Sequence, residues 1–247
     1  MPRFKRLVVP GVPHHVIQRG NHRMNVFLDD DDRRVFLRML AQVSERHGLL
    51  HLGYNLMTNH EHQLCIPMEE ASLALAMRDL LGPYATYFNG KYGLSGRLWQ
   101  GRYYSAVLGP SHFWTALRYV ELNPVRAGMV TMAEGYPWSS APAHCGLRED
   151  PLLAPLPDEA PSTADWSPWL QAGVDRSELK FLRDCTKSGR PCGDEAYIRE
   201  LERMTGRILF PRRRGRPARQ SGEDGWKTAA SGIILTDPCK KEDPSEE

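Results

Sequence analysis

The chain has 247 residues, 41% of them hydrophobic, enough for one well-filled core with a small appendage and short of what two full domains need. Its formal net charge of +2 is unevenly spread: Arg3, Lys5 and Arg6 open the chain, Arg212, Arg213, Arg214, Arg216 and Arg219 cluster late, and the end is acidic. Five cysteines without a CxxC indicate neither a disulfide framework nor a zinc ribbon and suit a reducing cytosol; with no secretory core in Met1 to Val12 and no apolar run of the roughly 18 residues that cross a bilayer, a soluble intracellular protein is expected.

From His14 to Arg19 the run HHVIQR is strand-like, entered through Pro13 and left through Gly20. Asp29 to Asp32 precede RRVFLRMLAQVSERHG, where Val35, Phe36, Leu40 and Val43 fall at helical spacing, the acids suit the positive helix N-terminus and Gly48 stops the helix. Leu49 to Met57 and His60 to Ile66 read as a hairpin turned by Thr58 and Asn59, with Pro67 ending its second strand. Strand, helix and two paired strands make the first half of a ferredoxin-like unit. Ser72 to Tyr92 predicts a second helix, with Pro83 an irregularity and Gly90 or Gly93 its stop. A glycine-punctuated loop and a strand from Arg102 to Leu108 follow. Ser111 stands where an N-cap belongs, ahead of HFWTALRYVELN, and Pro124 limits that helix near Asn123 or distorts it just beyond. This order predicts an α+β fold, a ferredoxin-like (RRM-like) antiparallel sheet layered with helices. Later the patterning weakens. Residues 141–175 read as an extended linker, 176–211 as a small helical unit with helices at Ser177 to Thr186 and Asp194 to Thr205, and 212–247 as a basic segment and disordered tail.

Alternate side chains of a strand share a face, so within TNHEHQL His60 and His62 point the same way and can converge on one cation. Taken alone, His-x-His is more often a pair of ordinary polar residues on a half-exposed strand. In LRYVELNPVRAG, Tyr119 and Asn123 lie one helical turn apart on a single face. A tyrosine beside an oxygen ligand could adjoin a divalent ion that polarises a phosphate. Without the histidines, Tyr119 reads equally as a core aromatic and Asn123 as a cap before Pro124.

Five segments carry a broader signal: RFKRLVVPGVPHHVIQRGN, YNLMTNHEHQL, GRLWQGRYYS, RYVELNPVRAGMV and YPWSS. In their order and spacing the chain resembles the REP-associated tyrosine transposases, a branch of the HUH single-strand transposases, over Met1 to Ala141 and less specifically over Thr186 to Pro217. The resemblance implies a catalytic domain at 1–140, Tyr119 as nucleophile, and His60, His62 and Asn123 as ligands of a divalent metal, Mg or Mn. It further implies cutting and joining of single-stranded DNA through a covalent phosphotyrosine, on hairpins of the repetitive extragenic palindrome type. Glu61 departs from the family, which usually has an apolar residue between the histidines. It is expected to face away from them and to need solvent or a partner such as Arg102 or Arg118.

Single strands stack on rings and run along cations, which makes Arg3, Lys5, Arg6, Arg97, Trp99, Arg102 and Tyr103 candidate DNA contacts. Trp99, Tyr103 and Tyr104 equally suit core packing. RRRGRPAR, Arg212 to Arg219, looks like an AT-hook that would lay Arg214 and Arg216 in a narrow minor groove. A solvated basic tail with non-specific phosphate affinity is the alternative, and the unit 176–211 could be an accessory DNA-binding module beside it. Two rival functions stay open: a non-catalytic, domesticated hairpin-binding relative, and a metal-dependent hydrolase in which water attacks and Tyr119 is structural. A monomer and a homodimer exchanging tyrosine helices both satisfy these motifs.

Overall fold

The computed structural model describes residues 6–210. Pro13 delivers the chain into β1 (His14–Arg19), and α1 (Asp30–His47) follows a 3-10 turn at Asn21–Arg23. Asp29 caps α1: its carboxylate accepts from the Asp32 amide while the Asp32 carboxylate accepts from the Asp29 amide, which satisfies two donors that a helix start leaves free. Gly48, in the left-handed region at φ 63°, closes it and turns the chain into β2 (Leu49–Leu56). The hairpin partner is β3 (His60–Pro67), and α2 (Ser72–Tyr92) then leads to β4 (Tyr104–Val107). All pairings are antiparallel and the strand order is β2-β3-β1-β4, the ferredoxin-like arrangement the sequence implied.

Helices cover both faces of the sheet. Val16, Tyr54, Leu56 and Cys65 on one face pack against Phe36 and Leu40 of α1 and Leu73, Met77, Leu80 and Tyr84 of α2. Lys91 near the end of α2 reaches both Asp29 and Asp32, each at 2.8 Å, and so ties the C-terminus of α2 to the N-terminus of α1. The opposite face, with Leu64 and Ala106, packs against α3 (Pro110–Glu121) through Phe113, Ala116, Leu117 and Val120.

Several local expectations need correction. Pro83 sits inside an unbroken α2, whose apolar face holds it through Leu80, Tyr84 and Phe88. Ser111 is not the cap of α3: Gly109 holds that position and Pro110 opens the helix, where a missing N–H costs nothing and the fixed φ fits. Pro124, by contrast, acts as expected: α3 stops at Glu121 and a short offset helix, α4 (Asn123–Arg126), follows.

Residues 141–175, whose proline content reads as a linker, contain α5 (Ala141–His144) and α6 (Thr163–Gln171), and α6 buries Trp166 and Leu170 in the same core as α3. Nine residues of helix are too few for a clear sequence period, and a single tryptophan anchors them. Next come α7 (Arg176–Ser188), capped by Asp175 and Gly189, and α8 (Glu195–Thr205). Leu179, Leu182 and Cys185 of α7 enter the core on the α3 side of the sheet, and residues 6–210 all fall in one compact unit.

Candidate active site

Strand register sets the first half of the site. His60 lies opposite Arg19 and His62 opposite Ile17, which places both histidines on the face covered by α3, together with His15 of β1. The sheet admits α3 closely because β2 has glycine at 53: a Cβ there would stand 2.5 Å from Leu117 Cδ1. That approach lowers Tyr119 onto the histidines. Its ring meets His62 edge-on at 5.4 Å between centroids and His15 at 5.9 Å, while His60 and His62 are 5.0 Å apart. All of these groups belong to one chain.

Four groups that spacing did not single out complete the surroundings. Arg183 of α7 donates through Nε to the Tyr119 hydroxyl at 3.4 Å, with its guanidinium 5.2 Å from the ring centre. Arg126 of α4 lies 5.3 Å from that ring. Burial and the neighbouring Arg183 charge both lower the Arg126 pKa, so the two cations repel across the tyrosine. His15 Nε2 is 3.0 Å from His62 Nδ1, and His15 Nδ1 is 2.9 Å from Thr186 Oγ1 of α7. The doubled histidine in PHHVIQR is the one hint that sequence offered for His15. Arg183 and Thr186 lie too far along the chain for spacing to connect them.

Burial dominates the electrostatics. It lowers His15 to about 3 and, with help from Arg19, His60 to about 4; His62 falls well below its usual value through burial, then the neighbouring His60 and His15 and the cations Arg19 and Arg183. All three rings are therefore neutral at pH 7, the form in which imidazole offers a lone pair. His62 Nε2 is buried with no hydrogen-bond partner among the described residues, a costly state unless something binds there. His60 and His62 thus fit two ligands of a divalent ion. Asn123 lies one turn beyond Tyr119 and donates its amide to the Tyr119 carbonyl at 2.8 Å. No group of three or more His, Cys, Asp and Glu able to hold a metal occurs among the described residues, so the third ligand would have to be of another type.

Glu61 faces away from the histidines, opposite Gln18 and Leu56, and it is fully buried. Neither expected cation reaches it: Arg118 donates to the Gly173 carbonyl and stacks on Trp169, and Arg102 is exposed. Burial pushes the Glu61 carboxyl up to about 8, against the neighbouring Gln63 amide, which leaves it mainly protonated at neutral pH. Glu121, two residues beyond Tyr119, is buried with full satisfaction. It accepts from Trp166 Nε1 at 2.7 Å and from Ser140, and it contacts His144 Nδ1 at 2.6 Å, so α5 and α6 brace the helix that carries Tyr119.

Arg6, Arg97, Trp99, Arg102 and Tyr103 gather at a cleft of about 500 Å³ over α2, joined to the histidine end of the sheet where the Gln100 amide donates to the Arg19 carbonyl. Trp99 donates its indole N–H to the Leu81 carbonyl and packs against Phe36 and Tyr84, and Tyr103 is largely buried beneath the Arg6 guanidinium. Arg3, Lys5, Arg214 and Arg216 lie outside the described residues.

A family model described as "Transposase IS200 like" matches residues 9–123. No curated protein sequence matches the chain. Among solved structures, a REP-associated tyrosine transposase bound to a REP hairpin superposes with a TM-score of 0.50 at 16% identity, over 66% of this chain and 96% of that one. A Deinococcus radiodurans chain assigned as a transposase superposes with a TM-score of 0.35 at 18% identity, over 49% of this chain and 96% of its own. Among the described residues, no helix is long and apolar enough to cross a membrane.

Proposed function

We propose, from the match of residues 9–123 to a family model described as IS200-like transposase, that this chain is a DNA transposase that cuts and rejoins single strands with Tyr119 as nucleophile. The observation that carries this reading is the meeting of Tyr119 with His60, His62 and Arg183 on one sheet face. His60, His62 and Asn123 would hold Mg²⁺ or Mn²⁺, which supplies positive charge to polarise a phosphodiester.

The chain's own groups account for the rest. The Tyr119 oxygen forms a bond to phosphorus while the bond from phosphorus to the 3′ oxygen breaks. The phenol gives up a proton and the departing 3′ oxygen takes one up, leaving a 5′-phosphotyrosyl strand and a free 3′ hydroxyl. Attack by another 3′ hydroxyl reverses the step and joins strands without an added energy source. Arg126 and Arg183, which repel each other across the ring, would gain from a phosphate between them and would hold its non-bridging oxygens in line. Tyr119 is only 5% exposed, which would limit competition from bulk water.

The substrate we propose is single-stranded DNA bearing a hairpin of the repetitive extragenic palindrome type, with Arg6, Arg97, Arg102, Trp99 and Tyr103 lining its path and Arg3, Lys5, Arg214 and Arg216 adding charge outside the described region. Work on the nucleoid and pairing into a homodimer belong to the same reading, although one chain supplies both histidines and the tyrosine. Incubation of the purified protein with Mn²⁺ and labelled hairpin DNA, on denaturing gels, tests it: wild type should cut, and Tyr119→Phe should not. Cutting that survives in Tyr119→Phe would transfer the attack to water and overturn the proposed nucleophile.

A further inference from the structure

Hydrogen-bond direction can be followed from α7 into the paired histidines. Thr186 Oγ1 lies 2.9 Å from the Leu182 carbonyl oxygen and 2.9 Å from His15 Nδ1. A carbonyl oxygen only accepts, so the single hydroxyl proton points at Leu182 and the hydroxyl oxygen is left to accept from His15. His15 Nδ1 therefore carries a proton. A fully buried imidazole bonded to no acid is neutral, so His15 Nε2 holds a lone pair. That lone pair faces His62 Nδ1 at 3.0 Å, which makes His62 Nδ1 the donor and leaves His62 Nε2 unprotonated, the same atom that is buried without a partner.

A separate arm does the same for His60. Asn59 donates through Nδ2 to the Arg23 carbonyl at 3.2 Å, which turns its Oδ1 toward His60 Nδ1 at 2.6 Å. An amide oxygen only accepts, so the His60 proton also sits on Nδ1. The accepting carbonyl belongs to a residue held in the left-handed region at φ 61°, a conformation that non-glycine residues adopt only when their surroundings require it.

We propose that His15, Thr186 and Asn59 are positioning residues that fix both histidines with the proton on Nδ1 and the lone pair on Nε2, the form in which they ligate a divalent ion. The inference rests on the reading of His60 and His62 as metal ligands. It extends the site beyond residues 9–123 into α7, so the helical segment after position 175 completes the metal site as well as covering the tyrosine.

The test uses the full-length, metal-free protein. Nitrogen-15 spectroscopy of the imidazole rings should report Nδ1–H and unprotonated Nε2 for both His60 and His62. In Thr186→Val no oxygen accepts from His15, and the His62 signal should become a mixture of tautomers while His60, on its own arm, keeps its pattern and shows the fold intact. Mn²⁺ affinity by calorimetry should fall ~10–100-fold in Thr186→Val and stay near wild type in Thr186→Ser, which retains the hydroxyl. A proton on His62 Nε2 in the wild type, or a Thr186→Val protein that binds Mn²⁺ as wild type does, overturns the proposal. Neither measurement involves DNA. A protein that shows the expected tautomers and affinities yet never cuts a strand would keep the relay and lose the cleavage reading.

Discussion

Arg183 on α7 donates to the hydroxyl of Tyr119 on α3, across 64 positions of sequence. The contact places a permanent cation where negative charge would gather on a phosphate under attack. Arg183→Ala should therefore reduce strand cutting by ~10²–10³-fold, the usual cost of losing one charge-stabilising group. Its melting temperature should stay near that of wild type, because Arg183 is exposed and, among the described residues, its side-chain hydrogen bond goes to the tyrosine. Single-turnover cutting rates of the two proteins check this, and equal rates would remove Arg183 from the chemistry.

Glu61 predicts the opposite kind of effect. Its carboxyl is buried with neither oxygen hydrogen-bonded among the described residues, on the sheet face away from the histidines. Glu61→Met keeps the volume and removes the unsatisfied group, so unfolding in urea at pH 7 should show a gain of ~1–3 kcal/mol. Mn²⁺ binding should be unchanged. A loss of stability would mean that the carboxyl has a partner.

The legible and illegible parts of the molecule divide along sequence distance. Local signals placed β1, the β2-β3 hairpin, α1 and α2, because strand alternation, Gly48, Pro67 and the acidic start of α1 act within a few residues. The spacings of His60 with His62 and of Tyr119 with Asn123 are equally local, but spacing alone left each pair open to an ordinary structural reading, and only the family resemblance joined them into one proposed site. His15, Arg126, Arg183 and Thr186 were not legible: each meets the site only after the sheet is assembled and α7 has docked on it. The region 141–175 misled because prolines hide a short helix whose weight rests on Trp166.

Trp166 is 1% exposed, packs against His144 and Trp169 and donates to Glu121. Trp166→Ala should cost ~3–5 kcal/mol by cavity formation alone, with a further loss from the unpaired Glu121 oxygen. Limited proteolysis should then cut first between α5 and α6, and protection there equal to wild type would contradict the bracing role given to this segment.

The network joining α1 to α2 predicts an acid limb to stability. The Lys91 ammonium holds Asp29 down to about 2, and it also lowers Asp32, with help from the Leu28 amide, although burial alone would raise that group. Carboxylates with depressed folded pKa values stabilise the fold above their unfolded value and lose that contribution as pH falls through the folded one. Lys91→Met should therefore melt several degrees below wild type at pH 7, and the gap should close as pH falls below about 4. A gap that is constant with pH would show that the lysine acts through packing instead.

The most direct measurement maps the covalent intermediate. Wild-type protein is mixed with Mn²⁺ and a hairpin DNA too short to rejoin, digested with protease and nuclease, and its peptides weighed. A 5′-phosphonucleotide on the peptide carrying Tyr119, absent from Tyr119→Phe, is the predicted result. Cut DNA with no modified peptide, or a nucleotide on another residue, would contradict the account.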